Sequence, residues 1–376
     1  MIYAKSCCTC DFQFNGMFSF AAGRWQILIA IWVIAGVFPT SAALSQDTDV
    51  PAVRPDDETP ANQVEKFEIP LGPRCTLIIN DIDAAKKTLT TEDTFTRQLS
   101  QFDLQARLGT TRDDVGLKDL FKAITSSLRP MSNKRREAFQ NAAQQLAKKI
   151  EQLKVKLPPT ISLVITDSTE EEGTAYTRGN VIVLHEPDLR MDPVKPNKLL
   201  AHELFHVISR SNPNLKDKMY GIIGFRHVGL IQMEPTLKDK RLTNPDAPTN
   251  EHIIDLKISE DKTVAVTPVL FANRPISKNA RPGSVMPYVG FELMKVEKNA
   301  DGKFVAIRTQ PPVTTPSNPD FFRQIGRNTM YIIHPEEILA DNFADWAIDA
   351  PDGPDPQIRA QLVKVMTAAK QMTNDK

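Results

Sequence analysis

The run Leu199-Leu200-Ala201-His202-Glu203-Leu204-Phe205-His206-Val207-Ile208 constrains this chain more than any other stretch. It is apolar enough to be buried, yet it carries two imidazoles and a carboxylate. Leaving a buried polar group unpartnered costs roughly 2–7 kcal/mol, so a helix built this way needs something to bind. On an α-helix, positions i and i+4 share a face, and His202 and His206 can therefore point at one ion. The order His-Glu-x-x-His places two histidines on zinc while the glutamate reaches a water bound to the metal. Zinc lowers the pKa of that water toward about 7, and a carboxylate can then take its proton. The residues thus predict a Zn2+-dependent hydrolase with His202 and His206 as metal ligands and Glu203 as general base.

A catalytic zinc needs a third protein ligand and one open position. No histidine follows at the spacing His-x-x-Gly-x-x-His, so the metzincin pattern is absent. Two segments carry Glu-x-x-x-Asp. In the first, Glu251 to Asp255, the following residues alternate as a strand, where these two acids would not stand one helical turn apart. The second, Glu337-Ile338-Leu339-Ala340-Asp341, sits in an amphipathic stretch that begins with Pro335, a favoured first-turn residue. Glu337 is the preferred third ligand, with Asp341 positioned to orient a ligand histidine. Glu336 and Glu251 remain alternatives.

His202 to His206 followed by Glu337-x-x-x-Asp341 resembles the gluzincins, the thermolysin-like metallopeptidases, and Tyr331 to Phe343 looks like exported zinc peptidases of that kind. The resemblance covers these motifs and the order of elements around them. It implies a zincin-like α+β fold, with a small mixed sheet beside the zinc helix and a second helical part carrying the glutamate ligand. It also implies a peptide or protein substrate, held by backbone pairing to an edge strand that precedes the zinc helix. Val181 to Leu184 occupies that place in the order. The 130 residues between His206 and Glu337 exceed the separation in thermolysin itself, so pocket and specificity do not transfer.

Acyl transfer also calls for a donor to the developing oxyanion. Tyr331 and His334 are the nearest candidates to Glu337 in sequence, and Tyr220 and His227 follow the zinc helix. Gly72-Pro73-Arg74-Cys75 invites a latency reading, but Cys75 leads into an apolar run and reads more simply as a small buried hydrophobe. His185-Glu186 reads as a strand-end pair. Asn244-Pro-Asp-Ala-Pro248 reads as a turn cluster that could line the cleft.

Organisation along the chain follows from composition and periodicity. Gln26 to Val37 is apolar, follows Arg24 and precedes Ser41-Ala42-Ala43, which predicts a signal peptide over 1–45 and an exported protein. The run is too short for a comfortable span, so no stable membrane span is expected after cleavage. Cleavage would leave Cys75 as the sole cysteine, hence no internal disulfide. The acidic, proline-bearing residues 46–66 predict a disordered linker, and 67–376 a metallopeptidase domain. Within it, 84–155 reads as a helical part, with Lys134–Val155 its best segment. The zinc-site core spans 156–350. A C-terminal helix is expected over 355–372. Strands are expected at Cys75–Asn80, Thr160–Thr166 and Val181–Leu184, a helix from Lys198 to Arg210 capped by Asn197, and loops over 212–250. Two hairpins follow, Ile254 to Phe271 and Pro287 to Thr309, and then a helix from Pro335 to Ile348. With 46 basic and 46 acidic residues, the chain has no nucleic-acid footprint. The alternative function is a non-catalytic extracytoplasmic binding module whose zinc is structural and closed by four protein ligands.

Overall fold

Apolar runs without polar alternation belong in sheets covered on both faces. Two such runs are β4 (Thr160–Thr166) and β6 (Val181–His185), which are almost wholly buried. A computed structural model describes residues 66–167, 169–185 and 195–368 of the chain. The predicted signal peptide, all but Lys66 of the predicted linker, Glu186 and the chain after Ala368 lie outside the described residues.

The chain begins with a hairpin of β1 (Phe67–Gly72) and β2 (Cys75–Ile79). Four helices follow: α1 (Ile82–Leu89), α2 (Thr94–Gln98), α3 (Gln101–Leu108) and α4 (Leu117–Ser127). A short β3 (Leu128–Arg129) leads into α5 (Asn133–Ile150). After β4 comes β5 (Tyr176–Arg178), then β6 and α6 (Lys195–Ser211). Next are α7 (Pro213–Ile222), β7 (Phe225–His227), β8 (Gln232–Met233) and α8 (Pro235–Lys238). The strands β9 (His252–Lys257), β10 (Thr263–Ala272), β11 (Val289–Lys298) and β12 (Phe304–Ile307) form a meander. Three helices end it: α9 (Pro319–Ile325), α10 (Pro335–Ala347) and α11 (Pro356–Ala368).

The result is an α+β protein with two mixed sheets. The first runs β1-β2-β4-β6-β5, with β3 beside β4. Its centre is parallel, β2 to β4 to β6, and β5 lies antiparallel on the edge. The pleat divides side chains between two cores. Ile161, Leu163, Ile165, Ile182 and Leu184 face α5 and α6. Val164, Val181 and Val183 face α1 and α4 on the other side. The second sheet runs β7-β9-β10-β11-β12-β8. One of its faces joins the main core through Ile254, Leu256, Val266 and Leu293. No helix among the described residues is long and apolar enough to cross a membrane.

Several expectations need correction. Val181–Leu184 is not an edge strand: β6 pairs with β4 on one side and β5 on the other. The edge is β5, three residues inside a stretch that reads as a polar loop, and too short to show periodicity. Helix α6, the predicted zinc helix, starts at Lys195, with Pro196 in its first turn, so Asn197 is not its cap. Its amide instead donates to Gln145 on α5. Residues 212–250 contain α7, because Pro213 opens a new helix as readily as it closes the old one. Pro70 hid β1, which tolerates proline because it is an edge strand. Both predicted hairpins are present.

Candidate metal centre

Helix α6 buries Leu200, Ala201, Leu204, Phe205, Val207 and Ile208 in the main core. That apolar set fixes its rotation and turns His202, Glu203 and His206 toward α10. The two helices pack directly together, with the Phe205 and Phe343 rings 5.6 Å apart. On α10, Pro335 fills the first turn and His334 is the N-cap. Glu336, Glu337 and Asp341 then face α6.

Each imidazole has its Nδ1 on a carboxylate of its own. His202 Nδ1 lies 3.0 Å from Asp341 Oδ1, and His206 Nδ1 lies 3.1 Å from Glu336 Oε1. An ionised carboxylate only accepts, so both Nδ1 atoms carry the hydrogen. Glu336 is well suited to stay ionised. Burial opposes its charge, but His206, Lys216 and the Tyr220 hydroxyl hold its pKa down to about 2. It also accepts from Ser209 Oγ at 2.8 Å and from Tyr220. Asp341 is likewise held low against burial by His202 and Thr329.

With hydrogens on Nδ1, neutral rings present lone pairs at Nε2. Both converge on one oxygen: Glu337 Oε2 is 3.2 Å from His202 Nε2 and 3.6 Å from His206 Nε2. Three electron-rich atoms meet in a buried space, an arrangement that could hold a metal cation. The ligand atoms of His202, His206 and Glu337 all lie within 4.8 Å of one another. Bonds of about 2.0–2.1 Å to a tetrahedral zinc would set neighbouring ligand atoms about 3.3 Å apart, which matches the two measured separations. His206 Nε2 and Glu203 Oε2 are buried with no hydrogen-bond partner. The same clustering of negative charge raises the proton affinity of both rings. Burial pulls the histidine pKa values down, yet Asp341 and Glu337 lift His202 well above its ordinary range, and Asp246 and Glu337 lift His206 to about 9.

The other predicted residues divide between this cluster and other parts of the fold. Glu337 Oε1 accepts from the Asn244 amide at 2.6 Å, which leaves only Oε2 facing the imidazoles. Burial, reinforced by Asp246, raises Glu203 to about 8 against the pull of the two histidines. The Tyr331 ring stacks on His202 at 6.2 Å, and burial among Glu337, Asp246 and Glu203 keeps its hydroxyl protonated. His334 is used differently. Its Nδ1 accepts from the Glu336 backbone N–H at 3.1 Å, and burial drives its pKa down to about 3. Glu336 is not a competing ligand but the partner of His206 Nδ1. Tyr220 is spent on Glu336, and His227 is exposed on β7. Glu251 precedes β9, and Asp255 pairs with Arg226 at 2.9 Å, away from the cluster. Cys75 is a buried core residue of β2.

One residue carries more than its sequence setting suggests. Asp246, in the turn cluster, forms a second potential ligand group with Glu203 and His206. Its Oδ1 accepts from both the backbone N–H and the hydroxyl of Thr177 on β5, each at 2.7 Å. Nothing local marks it, since its partners lie on β5 and α6. The clustering of Asn244, Pro245 and Asp246 is the one available signal. A cavity of about 80 Å³ adjoins the cluster, lined by Tyr176, Leu242, Asn244, Asp246, Val289 and Tyr331 among others.

Residues 166–214 are similar to the eCIS core domain family. That span runs from the end of β4 through β5, β6 and α6 into the first turn of α7, and it stops before Glu337. No curated protein and no solved structure matches the chain.

Proposed function

We propose that this protein is a zinc-dependent hydrolase of the zincin type, acting on peptide or related amide bonds after export. One observation carries the reading: two imidazole lone pairs and one carboxylate oxygen converge in a buried space beside an unpartnered Glu203 oxygen. His202, His206 and Glu337 would hold the zinc. When bound, zinc supplies Lewis acidity that lowers the pKa of a water and polarises a carbonyl.

The chain's own residues do the rest. Asp341 and Glu336 fix the imidazole tautomers and make the rings better donors. Asn244 occupies Glu337 Oε1 and so favours ligation through one oxygen. Glu203 is the sole unpartnered carboxylate of the motif; its Oε2 accepts a proton from the attacking water and hands it to the departing nitrogen. Tyr331, protonated and stacked on His202, donates to the carbonyl oxygen as charge develops there. The structural-zinc alternative gives no role to a buried Glu203 oxygen without a partner, because a closed structural site contains no water to activate.

The test is a comparison of wild type with Glu203→Gln. Both should bind one zinc per chain by elemental analysis. Only the wild type should cleave a proteome-derived peptide library read by mass spectrometry. A zinc-loaded Glu203→Gln protein that cleaves as well as wild type overturns the reading.

A further inference from the structure

The edge strand β5 lines the cavity beside the cluster through Tyr176. Only three of its residues pair with β6: Tyr176, Thr177 and Arg178. The Thr177 N–H points away from β6, since it donates outward. It is the amide that an extended peptide would use to add itself as the next strand. In this chain it is already taken, because Asp246 Oδ1 accepts from that N–H and from the Thr177 hydroxyl, each at 2.7 Å. The same segment reaches the metal cluster, with the Asn244 amide on Glu337 and Asp246 beside Glu203 and His206.

The segment is held at both ends. Thr243 N–H and hydroxyl donate to buried Asp103, and the Thr243 carbonyl accepts from Arg107. Beyond the turn, the Pro248 carbonyl accepts from Arg241. Between these anchors, Arg210 from the end of α6 donates to the Asp246 carbonyl at 3.5 Å and to Thr177 Oγ1 at 2.9 Å. The middle of the loop is therefore tied to the site by side-chain contacts, and its flanks by the core.

We infer that Asp246 is a built-in stand-in for a substrate carbonyl: its carboxylate occupies the outward edge of β5, and an extended peptide pairs there only when Asp246 releases Thr177. The ligand class is an extended backbone that pairs with β5 and places a side chain in the adjoining cavity. This rests on the peptidase reading for its consequence, but the contact itself does not. Losing hydrogen bonds of this kind shifts an open–closed balance by about tenfold.

The test uses full-length, zinc-loaded protein in the Glu203→Gln background, where bound peptide survives. The probe is a pool of N-acetylated, C-amidated hexapeptides with a central Leu, and the readout is amide hydrogen exchange over residues 174–178. With Asp246→Ala added, these amides should exchange faster without peptide and regain protection with it, at peptide concentrations about tenfold below those needed when Asp246 is present. Equal peptide-induced protection with and without Asp246, at equal concentration, overturns the inference. Asp246→Asn, which keeps a side-chain oxygen for Thr177 but removes its charge, should shift the same titration in the same direction by less than Asp246→Ala; a response equal to that of Asp246→Ala or opposite in direction overturns it too. Zinc-loaded wild type that cleaves no peptide while the exchange result holds would sink the hydrolase reading and leave the stand-in intact.

Discussion

Glu336→Gln isolates the logic of the centre, because it changes no ligand and hardly any volume. The wild-type carboxylate accepts from His206 Nδ1, Ser209 Oγ and the Tyr220 hydroxyl. Glutamine offers one oxygen and one NH2. With its oxygen toward His206, the NH2 faces two hydroxyls that can rotate to accept. With the NH2 toward His206, the ring must flip its tautomer and lose the Nε2 lone pair. The first arrangement wins, but a charge-assisted hydrogen bond becomes a neutral one about half as strong. Removing partners of this kind commonly lowers metal affinity by about 10–100-fold, or roughly 1.4–2.7 kcal/mol. The assay is zinc competition against a chromophoric chelator, with circular dichroism to establish that the variant is folded. Zinc affinity within about twofold of wild type in a folded variant would refute the argument. His206 would then need no help to present Nε2, or would not be a ligand.

The same residue makes a pH prediction for metal-free protein. Its folded pKa of about 2 lies below the ordinary 4.5, so its stabilisation is fully present above pH 4.5 and is lost as pH falls through 2. That difference corresponds to about 3–4 kcal/mol at most, and urea midpoints of wild type and Glu336→Gln should converge over this window; a constant gap would count against it. Glu337→Gln should lower zinc affinity more than Glu336→Gln, since it removes a ligand charge, as measured by the same competition. In protein lacking residues 1–45, where Cys75 is the sole cysteine, its thiol, pushed up to about 11 by burial, should resist Ellman's reagent at pH 8 until urea unfolds the protein; rapid native labelling would contradict its placement. Gly109→Ala should cost about 1–3 kcal/mol in thermal unfolding, because φ is +62° and a Cβ would sit 2.5 Å from the Arg281 carbonyl carbon; an unchanged midpoint would contradict that packing.

Legibility in the sequence followed the range of the interactions. His202, Glu203 and His206 are spaced by one helical turn, and an apolar run that long must be buried, so their shared face was readable without coordinates. Glu337 and Asp341 were readable for the same reason, as two acids one turn apart on a second amphipathic helix. The apolar runs of β4 and β6 and the two hairpins rest on equally local patterns. Pairing between segments is another matter. The edge belongs to β5 and not β6 because three residues after a polar loop fold back on β6, and strand order is decided by partners rather than by periodicity. Glu336 and Glu337 are adjacent in sequence, and only the rotation of α10 against α6 gives one the Nδ1 of His206 and the other the two Nε2 atoms. His334, a donor candidate by its nearness to Glu337 in sequence, also caps α10, with Nδ1 accepting from the Glu336 N–H. Asp246 meets Thr177, Glu203 and His206 across 40 to 69 residues of chain, and no spacing rule reaches that far. The helix that carries the candidate metal ligands was thus determined locally. The identity of its supporting carboxylates, and what occupies the strand beside it, were decided by tertiary packing.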